Sequence, residues 1–317
     1  MDNVQENICK TAWDRYLKRE NKSSLTIEKG FGFYKITGFD VLDLKATLYC
    51  GQAFRWKEID GFDIGVVKGV LFRLRQNGNN LIVFGDYTED ELGILVNYLQ
   101  LDKKHRIIEN CLSSIDDVML NAINYSSGLR LVVQEPWECL ISYILSANNS
   151  VPLITRAIDN ISRRWGSLIE SENGNFYSFP TPEQLASASE EELYSCKTGF
   201  RAKYVLGALK GVLSGEINLD KIKEMEYSLA KQSLMEIKGV GQKVSDCVLL
   251  FSMNKYNAFP VDVWIDRIVR YFYFKGSDIS KDKIREWAED KYGPLSGYAQ
   301  EYLFTYAREV IPDLLRK

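Results

Sequence analysis

The chain has 317 residues, 45% of them hydrophobic, 12% aromatic and 26% charged, the make-up of a globular protein with room for two domains. No apolar run reaches the ~18 residues of a membrane-spanning helix, which excludes an integral helical membrane protein. The net charge of −3 argues against a uniformly basic nucleic-acid binder, although residues 199–275 hold 12 Lys/Arg against 8 Asp/Glu, a local +4 that leaves −7 elsewhere.

Residues 1–23 are polar and read as a helix or a loosely attached arm. Their opening, Met1-Asp2-Asn3-Val4-Gln5-Glu6-Asn7, has neither the basic start nor the apolar stretch of a signal peptide, so the expected location is cytoplasmic. From about 24 to 86 the pattern is strand-like. Short aromatic or β-branched runs beginning at Phe31, Phe54, Phe62, Val70 and Leu81 are separated by Asp60-Gly61 and Asn77-Gly78-Asn79-Asn80, which read as hairpin turns. After Tyr87 the signal turns helical and stays so. Thr88 followed by Glu89-Asp90-Glu91 caps the first helix. Further helices are predicted around 104–112, 115–125, 136–147, 151–165, 182–194, 201–214, 228–236, 242–253, 263–273, 280–290 and 296–309, with Pro136, Pro182 and Pro294 near helix starts. The expected architecture is α+β: an N-terminal antiparallel sheet domain over 1–127, then an all-helical domain over 128–317.

Residue chemistry narrows the function. The six cysteines, at 9, 50, 111, 139, 196 and 247, form no CxxC pair, which argues against a zinc site, an iron–sulfur cluster or a disulfide framework. The single His105 cannot anchor a His-rich metal site or a Ser-His-Asp triad. Within Lys103-Lys104-His105-Arg106 it reads as a solvated helix residue. No metal or cofactor is expected, and the chemistry falls to Lys, Asp, Glu, Cys and Tyr.

The densest candidate is Gly239-Val240-Gly241-Gln242-Lys243, then Asp246-Cys247, then Pro260-Val261-Asp262. A Gly-x-Gly turn between two helical runs can bring backbone N–H groups against a phosphate. It also leaves Lys243 in the first turn of the next helix, where the positive helix end disfavours the ammonium and favours a nucleophilic amine. Asp262 reads as an N-cap that also has the chemistry to steady positive charge or move protons. Cys247 stands at i+4 from Lys243, on the same helical face.

Leu234-Met-Glu-Ile-Lys-Gly-Val-Gly-Gln-Lys-Val-Ser-Asp-Cys247 with Phe259-Pro-Val-Asp-Val263 resembles the helix-hairpin-helix and catalytic segment of the 8-oxoguanine DNA glycosylases. So do Cys50-Gly-Gln-Ala-Phe-Arg-Trp56, Gln134-Glu-Pro-Trp-Glu-Cys through Ala147-Asn148-Asn149, Thr198-Gly-Phe-Arg-Ala202, and Tyr292-Gly-Pro with Gly297-Tyr-Ala-Gln-Glu-Tyr-Leu-Phe304. These matches run in order from about residue 24 to 310. The resemblance implies a base-excision repair enzyme that flips 8-oxoguanine out of duplex DNA. Lys243 would attack the sugar C1′ and form a Schiff base that permits β-elimination, with Asp262 stabilising the developing charge. It implies a base pocket of Gly51, Cys247, Phe251, Gln300 and Phe304. The Gly51 carbonyl would accept the N7–H that distinguishes the lesion from guanine. By the same resemblance the DNA is held by Asn148, Asn149, Phe200, Arg201, Gly239, Val240, Gly241 and Trp264, and the protein is a monomer acting on double-stranded DNA away from membranes.

Three positions depart from the eukaryotic form: Phe200 for a tyrosine, Leu153 for an arginine that reads the opposite cytosine, and Trp264 for a histidine. They point to a bacterial-type member with relaxed opposite-base selectivity. Two other readings stay open, a glycosylase for another damaged base and a non-catalytic helix-hairpin-helix DNA-binding protein.

Overall fold

The computed structural model of the protein describes residues 2–17 and 24–310. Helix α1 (Asp2–Leu17) accounts for most of the expected helix or arm, and residues 18–23 lie outside the described residues. Strands β1 (Thr26–Lys29), β2 (Phe33–Thr37), β3 (Trp56–Ile59), β4 (Phe62–Val67), β5 (Val70–Asn77) and β6 (Asn80–Phe84) form one antiparallel sheet in the order β1-β2-β6-β5-β4-β3. Helix α2 (Leu44–Tyr49) lies between β2 and β3. Asp60-Gly61 closes a tight hairpin with φ of +52° and +76°, and Lys68-Gly69 repeats that geometry at +49° and +80°. Ile36, Phe72, Leu74, Leu81 and Val83 pack the sheet against Leu92, Leu95 and Tyr98 of α3 (Glu89–Tyr98), which begins with the Thr88/Glu91 capping box.

The helical part continues through α4 (Arg106–Ser113), α5 (Asp117–Tyr125), α6 (Pro136–Ser146) and α7 (Val151–Trp165). Strands β7 (Leu168–Ser171) and β8 (Gly174–Tyr177) then form a small hairpin. Next come α8 (Pro182–Leu185), α9 (Glu190–Leu193), a π-helical turn over Tyr194–Thr198, α10 (Ala202–Leu213), α11 (Leu219–Glu224) and α12 (Tyr227–Met235). Helices α13 (Gln242–Ser252), α14 (Val263–Tyr273), α15 (Lys281–Tyr292) and α16 (Ser296–Val310) complete the fold. A second apolar core joins α4–α7, α10 and α12–α16, and α1 inserts Cys9, Ala12 and Tyr16 into it.

Three expectations change. The β7–β8 hairpin interrupts a stretch expected to be wholly helical. The single helix expected over 182–194 is two short ones, because Ser189 and Glu192 form a fresh capping box that restarts the chain. His105 is not solvated: it is 1% exposed, and its Nε2 lies 2.9 Å from the Tyr302 hydroxyl. Its polar neighbours face water while the imidazole turns inward between α4 and α16. Burial, with Arg130 and Arg106 nearby, holds its pKa well below the usual histidine range.

Candidate active site

The turn before α13 is fixed by sterics. Gly239 has φ +92°, and a Cβ there would stand 2.5 Å from the Tyr204 ring, so only glycine fits. The Val240 amide donates to the Ile237 carbonyl at 2.9 Å and closes the turn. Gly241 is the N-cap of α13 and, having no side chain, leaves the Gly241 and Gln242 amides without a hydrogen-bond partner among the described residues. Of the three residues expected to offer amides, Val240 is therefore already engaged.

Lys243, in the first turn of α13, is half-buried. Its Nζ donates to Ser146 Oγ at 3.1 Å and lies 5.1 Å from the centre of the Tyr143 ring. Tyr143 in turn donates its hydroxyl to the Gln52 carbonyl at 3.1 Å. The lysine on the hairpin is thus connected, through one aromatic ring of α6, to the loop that contains Gly51. Phe251 stacks on the same ring at 5.6 Å and is 3% exposed.

Asp262 caps α14, accepting from the Ile265 amide at 2.8 Å, so its carboxylate is held rigidly. Cys247 is 3% exposed on α13. Burial pushes its thiol up to about 12; Lys243 pulls it down while Asp246, Asp262 and Glu301 push it further.

Gly51 adopts φ +114°, and a Cβ built on it would lie 3.3 Å from Arg308 Nη1 and 3.6 Å from the Phe304 ring. Gln300 is 5% exposed and its Oε1 has no hydrogen-bond partner. A buried amide oxygen in that state is primed for a donor from a bound molecule. Phe304 is half-buried, with the Arg308 guanidinium 5.1 Å from its ring centre.

The opposite rim is built at the end of α6. Asn148 is exposed with φ +50°, projecting beyond the helix, and Asn149 Nδ2 turns back to the Leu145 carbonyl at 3.0 Å. Arg201 is 7% exposed; its Nε and Nη2 reach the Ala147 carbonyl at 2.8 and 2.6 Å, Nη2 reaches Asn148 O at 2.8 Å, and Nη1 reaches Thr198 O at 3.3 Å. Those bonds engage four of five guanidinium N–H groups, so Arg201 mainly props Asn148 and has at most one donor for a base edge. Phe200 is 55% exposed, its ring centre 4.4 Å from the Arg201 guanidinium, and Leu153 is 51% exposed in the first turn of α7. Trp264 follows Asp262 by two residues and is half-buried. Asp266, one turn after the cap, accepts from Arg270 at 2.9 Å.

Sequence reasoning missed the supports: Ser146 and Tyr143 under Lys243, and Glu301 and Arg308 beside Gly51. Ser146 precedes the paired asparagines, which was a signal for it. Nothing marked the others, whose partners are distant in the chain. Among the described residues no group of His, Cys, Asp and Glu is placed to hold a metal ion, and no helix is long and apolar enough to cross a membrane.

The chain matches two known families in succession: "8-oxoguanine DNA glycosylase, N-terminal domain" over residues 37–140 and "HhH-GPD superfamily base excision DNA repair protein" over 141–294. It is 33% identical to a probable N-glycosylase/DNA lyase of Methanothermobacter thermautotrophicus, spanning 84% of this chain and 93% of the relative. It is 30% identical to a Saccharomyces cerevisiae N-glycosylase/DNA lyase, with 83% of each covered. It superposes with TM-score 0.86 on the Clostridium acetobutylicum 8-oxoguanine glycosylase/lyase bound to double-stranded DNA with cytosine opposite 8-oxoguanine, at 34% identity over 91% of this chain and 99% of that one.

Proposed function

Because this chain belongs to the 8-oxoguanine DNA glycosylases of the HhH-GPD base-excision repair superfamily, we propose that Lys243 is its Schiff-base nucleophile and Asp262 its electrostatic partner. The protein is an N-glycosylase/DNA lyase acting on 8-oxoguanine in DNA. In this reading the lesion leaves the stack and enters the space between Gly51, Cys247, Gln300 and Phe304. The Lys243 amine attacks C1′ as the bond to the base breaks; Asp262 stabilises the positive charge that develops on the sugar. The base departs with a proton, the ring opens to an imine on Lys243, and loss of a C2′ proton expels the 3′ phosphate.

The observation that supports the assignment is the placement of Lys243, held by Ser146 Oγ over the Tyr143 ring, with Asp262 fixed as the cap of the next helix. A hairpin that only grips phosphate needs no such arrangement. The Gly241 and Gln242 amides would hold the backbone phosphate, Asn148 would fill the gap left by the flipped nucleotide, and Phe200 would wedge the stack. Asn149, Gly239 and Trp264 would complete the contact surface, while Val240, buried and with its amide engaged, shapes the turn. Phe251 would back the pocket through Tyr143. The proposed division at 127/128 has Gly51 supplied by the first part and Lys243 by the second. We propose a monomer working in the cytoplasm of a bacterial-type cell, on its chromosomal DNA.

Borohydride trapping on a duplex with one 8-oxoguanine opposite cytosine tests the reading. The native protein should give a covalent adduct and Lys243→Gln none, while duplex binding persists in both. An adduct that survives in Lys243→Gln would remove Lys243 from the mechanism.

A further inference from the structure

The α16 residues nearest the Gly51 loop do more than fill space. Arg308 Nη1 donates to the Cys50 carbonyl at 3.0 Å, and the same nitrogen is the atom nearest to where a Gly51 Cβ would stand. The Cys50 thiol donates to the Thr47 carbonyl at 3.5 Å, and Glu301, one turn before Thr305, is 2% exposed with an Oε1 that has no hydrogen-bond partner. Arg308 therefore acts directly on the Cys50–Gly51 peptide, at its oxygen.

The far side of Gly51 is clamped independently. The Gln52 side chain donates to the Thr47 and Arg130 carbonyls at 2.9 and 2.8 Å and accepts from the Val132 amide at 2.9 Å. The Gln52 carbonyl accepts from Gln134 at 2.7 Å and from Tyr143. Gly51 is the one residue between these clamps without a side chain, and a glycine in the left-handed region rotates its flanking peptides at little cost. With the Gln52 side fixed, the direction of the Gly51 carbonyl depends on what restrains the Cys50 side.

We propose that Arg308 is a positioning residue that orients the Gly51 carbonyl toward the flipped base and so sets lesion recognition. The inference rests on the reading of Gly51 as the group that meets the lesion's N7–H. Arg308 also lies against Phe304, so one guanidinium couples the recognising carbonyl to the ring expected to stack on the base. It makes no demand on Lys243, which acts on the sugar.

This separation supplies the test. Arg308→Met keeps the aliphatic bulk and removes the donor; Arg308→Lys keeps one donor. Single-turnover excision of 8-oxoguanine opposite cytosine is compared with strand cleavage at a preformed abasic site in the same duplex, where no base is read. Arg308→Met should lose about 10- to 100-fold in excision, with abasic cleavage and melting temperature near wild type, and Arg308→Lys should recover part of the loss. Equal loss of both activities, or no loss of either, would overturn the positioning role. Native protein that cleaves the abasic site yet leaves 8-oxoguanine in place would overturn the Gly51 reading, and this inference with it. Native protein inactive on both would instead reject the lyase assignment, and the inference would fall with it.

Discussion

Glu301 shows how a single buried group leaves a measurable trace. Burial pushes its carboxyl up to about 7, Cys50 and Arg308 pull it down, and Asp262 pushes it up. An unfolded glutamate titrates near 4.3, so between that pH and 7 the folded protein holds more protons than the unfolded chain. Stability attributable to this group therefore falls as pH rises through that window. Glu301→Gln, which stays neutral, should match the native protein at pH 5 and exceed it at pH 8 by on the order of 2–3 kcal/mol. Urea unfolding at the two pH values checks this, and a pH-independent difference would count against it. His105 runs the other way: its depressed pKa gives stability that is present above about 6.5 and lost as pH falls. At this scale the sequence was partly readable. Lys243, Asp262 and Gly239 stand in a short, dense segment whose turn chemistry is local. Glu301 and Arg308 were not, since Arg308 meets its partner Cys50 across 258 positions. His105 misled because three cations flank it.

At the scale of elements, the helix-hairpin-helix owes its geometry to Asp246. This carboxylate is fully buried and accepts from Tyr227 at 2.7 Å and Lys231 at 2.8 Å on α12, and from Arg285 at 3.1 Å on α15. Removing one member of such a network strands the others. Asp246→Asn should cost about 3–5 kcal/mol in a denaturant melt and reduce duplex binding, because α12 and α13 lose their fixed angle. A loss below 1 kcal/mol would mean the network adds little. Helices announced by caps were legible, such as the one opened by Thr88 and the one opened by Asp262. Hairpin β7–β8 was not, because each strand has only four residues and too few alternations to show a period of two. Helix α2, six residues long, is under two turns and too short for a 3.6-residue period to show.

For the whole molecule, the balance of charge and the opposite-strand rim decide how DNA is met. A net −3 chain concentrates its surplus cations in residues 199–275, where Lys203, Lys210, Lys221 and Lys238 are exposed. The rim proposed to face the opposite strand carries few base-reading donors, since Leu153 has none and Arg201 is engaged by backbone carbonyls. Losing one bidentate contact relaxes discrimination by about 1–3 kcal/mol. Excision rates with A, G, T and C opposite the lesion should therefore lie close together, and Leu153→Arg should restore a preference for cytosine. Strict dependence on cytosine in the native protein would contradict this. The architecture itself was readable because strand-like and helix-like periods occupy separate halves of the chain.

The hydroxyl of Tyr143 holds the Gln52 carbonyl beside Gly51, while the face of the same ring bears the Lys243 amine; on the proposed reading, one ring supports both the loop that would judge the base and the amine that would cut the sugar. Both posts are filled before any DNA arrives. An intact guanine that wandered in would find the blade already drawn, so its safety lies in never being seated long enough. On that reading fidelity would be a matter of dwell time rather than of arming, and a strand that has already lost its base would pass the guard unchallenged.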